Sequence, residues 1–134
     1  MNLFPEMSVS ASGLTAERTR LEVIARNLAN ANTTKTADGG VFRRQLVELV
    51  AQPQGLMAEE AAGVQVAGIV EDPSPLKQVY SPGHPDADEN GYLTLPNVDV
   101  MLEMVDMLGA ARAYEANVSL LQSAKEMARQ ALSI

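Results

Sequence analysis

A short acidic run late in the chain carries its most metal-like pattern. The run Asp86-Ala87-Asp88-Glu89-Asn90-Gly91 matches the first half of a calcium loop, with oxygen ligands at alternate positions and glycine where the chain turns. The second half fails, because Asn97 stands where a bidentate glutamate is needed and Pro96 precedes it. We therefore favour a solvated acidic turn that enters a short strand, and we predict no metal site.

The only histidine, His84, lies between Gly83 and Pro85. The nearby acids Asp86 and Asp88 could orient it as a general base, but such a base also needs a nucleophile or a substrate pocket. The chain has no cysteine, no Gly-x-Ser-x-Gly elbow, no phosphate loop and no dinucleotide fingerprint. The sequence therefore predicts a protein that is not an enzyme, with no catalytic residue, no cofactor and no small-molecule substrate.

Composition and charge narrow the class of protein further. The chain has 134 residues, a length typical of one domain, with 46% hydrophobic residues but only 4% aromatic ones. A core of Ala, Val, Leu and Met suits the packing of helix against helix. The net charge is −7, and no Lys/Arg cluster is present, so nucleic acid and anionic lipid are poor partners.

Neither a secretory signal nor a membrane span is expected. The segment from Met1 to Ser12 has no basic region followed by a long apolar run. No stretch approaches the ~18 apolar residues that a membrane-spanning helix requires. We expect no direct membrane insertion, and any export from the cytoplasm would use a route without a cleaved signal.

The N-terminal segment, residues 1–34, is predicted to be helical. Its apolar stripe recurs every seven residues, with Ile24 between the last two members, and consists of Met7, Leu14, Leu21 and Leu28. Serines are favourable helix caps, so the helix could begin at Ser8, Ser10 or Ser12. It should end in the run from Asn30 to Thr34, because Asn and Thr favour caps and turns.

The C-terminal segment, residues 97–134, is predicted to be one long helix capped by Asn97 or Asp99. Its stripe contains Met104, Leu108, Ala111, Val118 and Leu121. About 35 helical residues would reach roughly 50 Å, whereas a compact domain of this size is under ~35 Å across. A helix longer than its own domain needs a partner. The methionines at its start fit either an adaptable contact surface or ordinary core filling.

The middle, residues 35–96, holds most of the prolines and glycines and is predicted to be a small β-rich region. Strands are expected at 45–50, 64–70, 78–80 and 92–95, with a tight turn at Asn90-Gly91 and a loose loop at 52–63. The fold class is therefore α+β, with two long terminal helices that pair as a coiled coil. The two stripes could pair within one chain, between chains, or in both ways.

Three separated motifs resemble one known family. The segment 12–34 contains the run Asn27-Leu28-Ala29-Asn30-Ala31-Asn32-Thr33, which is similar to the rod signature of bacterial flagellar axial proteins. The run from Ala111 to Val118, in one-letter code ARAYEANV, resembles the closing helix of that family. The segments 36–44 and 80–92 and the short middle region are similar to its proximal-rod members, although Val41-Phe42 stands where the family more often has Pro-Tyr.

The resemblance implies a structural subunit of the flagellar basal-body rod. Such proteins are exported unfolded by the flagellar type III system, and they assemble in the periplasm as a torque-transmitting shaft around the export channel. The implied partners are copies of the chain, other rod proteins, the export apparatus and the membrane-ring proteins. A free-standing acidic interaction module and a calcium-binding protein remain the alternatives.

The helical ends are expected to carry the assembly contacts. Asn27, Asn30, Tyr114 and Asn117 are expected to give polar register contacts, because buried polar groups specify alignment. The full set of predicted helix-packing and assembly residues is Leu14, Leu21, Ile24, Asn27, Leu28, Asn30, Met104, Leu108, Ala111, Tyr114, Asn117, Val118 and Leu121.

Overall fold

The computed structural model describes residues 3–53 and 62–134 and has two long helices with a small β region between them in sequence. This arrangement confirms the predicted α+β class. In chain order the elements are α1 (Leu3–Ala29), β1 (Gln45–Pro53), β2 (Ala62–Glu71), β3 (Lys77–Tyr80), β4 (Tyr92–Leu95) and α2 (Val100–Leu132).

Helix α1 begins several residues earlier than expected. Pro5 lies in its first turn, where proline is tolerated because the first N–H groups have no partner within the helix. The expectation that Ser8, Ser10 or Ser12 caps the helix is therefore wrong. Ser12 Oγ instead donates to the Val9 carbonyl (2.6 Å) and accepts the Val64 N–H of β2 (3.0 Å). The hydroxyl thus ties α1 to the sheet.

The other three helix ends agree with the sequence. Helix α1 stops at Ala29, and the Asn30 side chain donates to the Arg26 carbonyl in the last turn (2.8 Å). Asp99 caps α2, and its carboxylate accepts the N–H groups of Met101 (3.0 Å) and Leu102 (3.3 Å). Helix α2 then continues for 33 residues, a length of about 50 Å.

Strands β1 and β2 form an antiparallel hairpin with one irregularity. Glu48 lies opposite Gly68 and Leu49 opposite Val66, so Ala67 is the extra residue of a β-bulge. Each strand is longer than predicted, and residues 52–53 and 62–63 of the expected loop belong to the strands. The rest of that expected loop, residues 54–61, lies outside the described residues.

Strands β3 and β4 form a second, separate antiparallel pair. The turn before β4 closes through the Gly91 N–H, which donates to the Asp88 carbonyl (3.0 Å), and Gly91 has φ +83°. A side chain there would meet Tyr80 and Pro82 at 3.0–3.1 Å, so the predicted Asn90-Gly91 turn requires its glycine. The rings of Tyr80 and Tyr92 pack edge to face with centroids 5.4 Å apart.

Helix α1 is the centre of the packing and contacts α2, β1 and β2. Gly13 lies against Asn117, and Asn27 lies against Glu103, so the two helices are antiparallel. The buried apolar residues of the pair are small or β-branched: Ala16, Val23, Ile24 and Ala110. Among the described residues, no helix combines the length and apolar character needed to cross a membrane.

Candidate assembly surface

The first three turns of α2 expose a continuous set of large apolar side chains. Each is between 41% and 75% exposed, although the sequence around them is typical of a helix with a buried face. We name this set the α2 ridge; it consists of Val100, Met101, Leu102, Met104, Val105 and Leu108. Exposed apolar patches of this kind on a small protein mark contact surfaces.

The structure divides the predicted stripe of α2 between two faces. Tyr114, Asn117 and Leu121 are half-buried on the side that faces α1, and so are Ala111 and Val118 at its margins. Met104 and Leu108 are 52% and 63% exposed and belong to the α2 ridge. Within one subunit these two residues are therefore not covered by α1, and their role in contacts between subunits stays a prediction.

The face of α2 that packs on α1 begins at Glu103, one residue before the predicted stripe. It continues with alternating steps of four and three residues through Met107, Ala110, Tyr114, Asn117 and Leu121. The sequence misleads here because apolar residues occupy both faces of the first turns, while the inner face starts with a charged side chain. On α1, Ile24 is buried, and Leu14, Leu21 and Leu28 are half-buried.

Asn27 is 1% exposed and joins α1 to the first residue of β1. Its Nδ2 donates to the Gln45 carbonyl (2.9 Å), and its Oδ1 accepts the Gln45 N–H (2.9 Å). The side-chain amide thus acts as a neighbouring strand would, because it satisfies both main-chain groups of Gln45. Nδ2 also lies 3.4 Å from Glu103 Oε2. Asn27 therefore makes its hydrogen bonds inside the subunit.

Glu103 is 1% exposed and is neutralised by Arg44, the residue just before β1. Arg44 Nε donates to Glu103, and its Nη1 lies 3.0 Å from Oδ2 of Asp72, which follows β2 at the same end of the hairpin. A third carboxylate, Asp106, lies 3.5 Å from Nη2. A buried carboxylate is tolerated only when it is paired and hydrogen-bonded in this way.

Asn97 completes the arrangement at the start of α2. Its Oδ1 accepts the Arg44 N–H (2.7 Å), and its Nδ2 donates to the carbonyls of Asp72 (3.1 Å) and Ser74 (3.0 Å). We name the whole arrangement the polar junction. Its members are Asn27, Arg44, Asp72, Asn97 and Glu103, and they fix the base of the hairpin to both helices.

The electrostatics of the polar junction favour the ion pairs. Burial by itself lowers the pKa of Arg44, but the hydrogen bonds and charges of Glu103 and Asp72 outweigh it, and the pKa lies above its ordinary value. Hydrogen bonds from the Ser74 hydroxyl (2.6 Å) and N–H (2.8 Å), followed by Arg44, lower the pKa of Asp72 to about 2. Both partners thus stay charged at neutral pH.

Arg44, Asp72 and Glu103 were not identified from the sequence. None of these charged residues belongs to a sequence motif that indicates burial, and the residues that meet at the junction are far apart along the chain. Asn30 and Asn117 bind their own helices instead, through the carbonyls of Arg26 and Ala113 (3.1 Å for the latter). Asn117 also faces Gly13, where an added Cβ would lie 2.9 Å from its Nδ2.

The acidic turn at residues 86–91 uses its carboxylates for its own structure. Asp88 Oδ1 accepts the N–H groups of Asn90 (2.9 Å) and Tyr92 (2.8 Å), and Asp86 Oδ2 accepts the Thr34 hydroxyl (2.6 Å). His84 Nδ1 accepts the Asp86 N–H (3.0 Å). Within residues 3–53 and 62–134, no three acidic or histidine side chains converge as metal ligands would.

Comparison with known proteins identifies the chain. Family models described as "Flagella basal body rod protein" and "Flagellar basal body rod FlgEFG protein C-terminal" match residues 7–35 and 89–134. The flagellar basal-body rod protein FlgC of Borreliella burgdorferi is 44% identical, with 100% of this chain and 98% of the relative covered. The FlgC protein of Salmonella typhimurium is 40% identical, with 100% of this chain and 96% of the relative covered. The FlgC protein of Bacillus subtilis is 38% identical, with 100% of this chain and 99% of the relative covered. This chain belongs to the FlgC family.

Membership of the FlgC family makes the chain a structural subunit of the flagellar basal-body rod and not an enzyme. It also confirms the resemblance to flagellar axial proteins that the terminal motifs carry. The matched regions include most of α1 in one case and β4 with α2 in the other, and Asn27 and Glu103 of the polar junction each lie in one of them. In this chain a buried polar contact therefore joins the two matched regions.

Proposed function

We propose that this FlgC-family chain polymerises through its terminal helices into the proximal part of the rod, a torque-transmitting shaft around the export channel. The observation that carries this proposal is the α2 ridge. Six large apolar side chains remain exposed in the first turns of α2 alone, and water-exposed apolar surface of this extent is stabilised when another chain covers it.

The proposed contacts divide the chain into three parts. Residues 1–34 and 97–134 make the helical contacts that stiffen the shaft, and residues 35–96 form the region outside it. The proposed packing residues are Leu14, Leu21, Ile24, Asn27, Leu28, Asn30, Met104, Leu108, Ala111, Tyr114, Asn117, Val118 and Leu121. For Asn27 the contribution is indirect, because its hydrogen bonds hold the hairpin against the helix that carries the contacts.

The proposed partners are copies of the chain, other rod proteins, and the export apparatus and membrane-ring proteins at the base of the rod. The proposed site of assembly is the periplasm, which the unfolded chain reaches through the flagellar type III system without cleavage of a signal. The length of α2, about 50 Å, supports a helical layer that extends beyond one subunit.

Substitution of Met104 by aspartate tests the proposal. Because Met104 is 52% exposed, Met104→Asp should leave the subunit folded, yet place a charge where we propose a neighbouring helix. We expect cells that produce only this variant to make the protein but no rod, as seen in preparations of basal bodies. The matched control is Val79→Asp, an apolar residue of similar exposure on β3. Normal rods with Met104→Asp would contradict the proposal.

A further inference from the structure

The exposed face of α1 complements the exposed face of α2 in both size and charge. Exposed residues follow one another along α1 at alternating steps of three and four, which places them on a single line opposite the buried face. This line, the α1 seam, consists of Thr15, Arg18, Glu22, Ala25 and Ala29. Apart from its two charged members, it is made of small side chains.

Helix α2 has a corresponding line on the side turned away from α1. It follows alternating steps of four and three residues and begins in the α2 ridge. This line, the α2 seam, consists of Met101, Val105, Leu108, Arg112 and Glu115. Its apolar members are large where those of the α1 seam are small, so the side chains of one line fit between those of the other.

One antiparallel register matches four of the five positions of each seam. With Arg18 opposite Glu115, Glu22 falls opposite Arg112, which gives two pairs of opposite charge. The same register places Ala25 opposite Leu108 and Ala29 opposite Val105. In parallel packing with Arg18 opposite Glu115, Glu22 and Ala25 would instead lie opposite Ser119 and Gln122, away from the large apolar residues. The charge pattern and the size pattern therefore select the same alignment.

We infer that the α1 seam of one copy packs, antiparallel, against the α2 seam of a second copy. This inference rests on the proposed polymerisation and specifies which faces meet. Arg18 and Glu22 contact each other in the isolated subunit (3.2 Å), but both are more than half exposed. An exposed pair of this kind contributes little to stability, so its partners are free to exchange.

The amount of exposed surface fits this role. The α2 ridge exposes on the order of 500 Å² of apolar side chain, a size that the largest apolar patch of a monomer reaches and that is often functional, and a stable interface buries about 800 Å² on each partner. The ridge thus supplies much of the apolar centre, and the charged positions of the two seams supply the polar margin. Such a margin around an apolar centre is usual for protein interfaces.

The contact has a geometric consequence for assembly. The two seams are different surfaces, so the interface is heterologous, and a pair of copies keeps one free seam at either side. Interfaces of this type propagate into closed rings or helical arrays. Because α1 and α2 are antiparallel inside each copy as well as across the interface, all copies in the array point in the same direction.

Cross-linking through introduced cysteines tests the inference, since the natural chain has none. Ala25 and Leu108 are opposite each other across the interface, but within one copy they lie on faces that point away from the α1–α2 contact, beyond disulfide reach. In isolated basal bodies, we expect Ala25→Cys with Leu108→Cys to give a ladder of cross-linked copies on oxidation. Each single cysteine variant should give none.

A second double variant controls for chance collision. Leu120 is also exposed on α2, but it lies outside the register, so Ala25→Cys with Leu120→Cys should give no ladder. Intact rods without a ladder in the first variant would overturn the inference and leave the proposed polymerisation standing. Dimers from Leu108→Cys alone, or cross-links only to a different rod protein, would also overturn it.

Charge reversal gives an independent measurement if cysteines disturb assembly. Arg18→Glu and Glu115→Arg should each place like charges opposite each other and reduce the number of rods per cell. The double variant Arg18→Glu with Glu115→Arg restores an attractive pair and should recover rod formation. Failure of the double variant to exceed both single variants would overturn the inference.

Discussion

The two faces of α2 are built from different kinds of residue. The inner face, against α1, begins with the buried carboxylate of Glu103 and continues with Met107, Ala110, Tyr114, Asn117 and Leu121, of which only Ala110 is fully buried. The outer face carries the large apolar residues of the α2 ridge. In a surface helix the apolar stripe usually faces the core, whereas the first turns of α2 expose most of their large apolar residues.

The difference separates two tasks. Polar and small groups on the inner face determine how α1, α2 and the hairpin are aligned, because each hydrogen bond has one partner and one geometry. Large apolar groups on the outer face contribute attraction without a fixed partner. Substitutions on the inner face should therefore lower the free energy of unfolding of the purified subunit, whereas those on the outer face should act on assembly.

The largest effect is expected at Arg44. Arg44→Met leaves the Glu103 carboxylate buried without its cation, which typically lowers the free energy of unfolding by about 3–5 kcal/mol. Urea denaturation of the purified subunit measures this quantity. The double variant Arg44→Met with Glu103→Met should recover much of the loss, and Arg18→Met, at an exposed arginine, should change little. If Arg44→Met is as stable as the native chain, the polar junction does not determine how the two helices and the hairpin are aligned.

The next effect concerns Asn27. Asn27→Ala leaves the partly buried N–H and carbonyl of Gln45 without the Asn27 amide, and the free energy of unfolding should fall by about 2–3 kcal/mol. Asn27→Asp should not restore it, because a carboxylate cannot donate to the carbonyl and adds a charge beside Glu103. Asn32→Ala serves as the control, since Asn32 belongs to the same motif but is exposed. Equal losses at both positions would contradict the assignment.

A smaller effect is expected where the helices approach most closely. Gly13→Ala places a Cβ 2.9 Å from Asn117 Nδ2 and should cost about 1 kcal/mol of unfolding free energy, because overpacking outweighs the gain in helix propensity. In an Asn117→Ala background the same substitution should stabilise the subunit. Gly109→Ala is the matched control: an added Cβ there meets nothing within 4 Å, and thermal unfolding should show stabilisation. Equal responses at both glycines would contradict a close approach at Gly13.

The smallest effect is a dependence of stability on acid pH. The folded pKa of Asp72 is about 2, below its ordinary value, so the folded state favours the ionised carboxylate. Its contribution to stability is therefore complete above about pH 4 and is lost as the pH falls towards 2. Urea midpoints between pH 2 and 5 should decline less steeply for Asp72→Asn than for the native chain. If the urea midpoints of the two proteins change in parallel with pH, the ionisation of Asp72 does not contribute to stability.

Much of the fold follows from local sequence signals. Proline and glycine positions separate the middle from the helical ends, Asp99 caps α2, and Asn90-Gly91 forms its turn. These signals are read correctly because each depends on a few neighbouring residues. The predicted start of α1 was wrong because Ser12 lies inside the helix and makes its hydrogen bonds there, although serine is a favourable capping residue.

The inner face could not be read in the same way. A stripe of apolar residues indicates a buried face, but α2 has apolar residues on two faces, and nothing local shows that Glu103 lies on the buried one. That fact depends on Arg44, which tertiary structure brings to the helix from the base of the hairpin. Asn27 was identified through the family motif, but its main-chain partner Gln45 follows only from the fold.

The antiparallel helix pair concentrates its polar contacts at one end. The polar junction holds the end of α1 and the start of α2, while the start of α1 and the end of α2 lie at the opposite end of the pair. Local unfolding should therefore begin at the end of the helix pair that lacks the polar junction and should reach the junction last. A subunit could thus loosen the ends of its helices as it joins its neighbours and keep the hairpin oriented throughout.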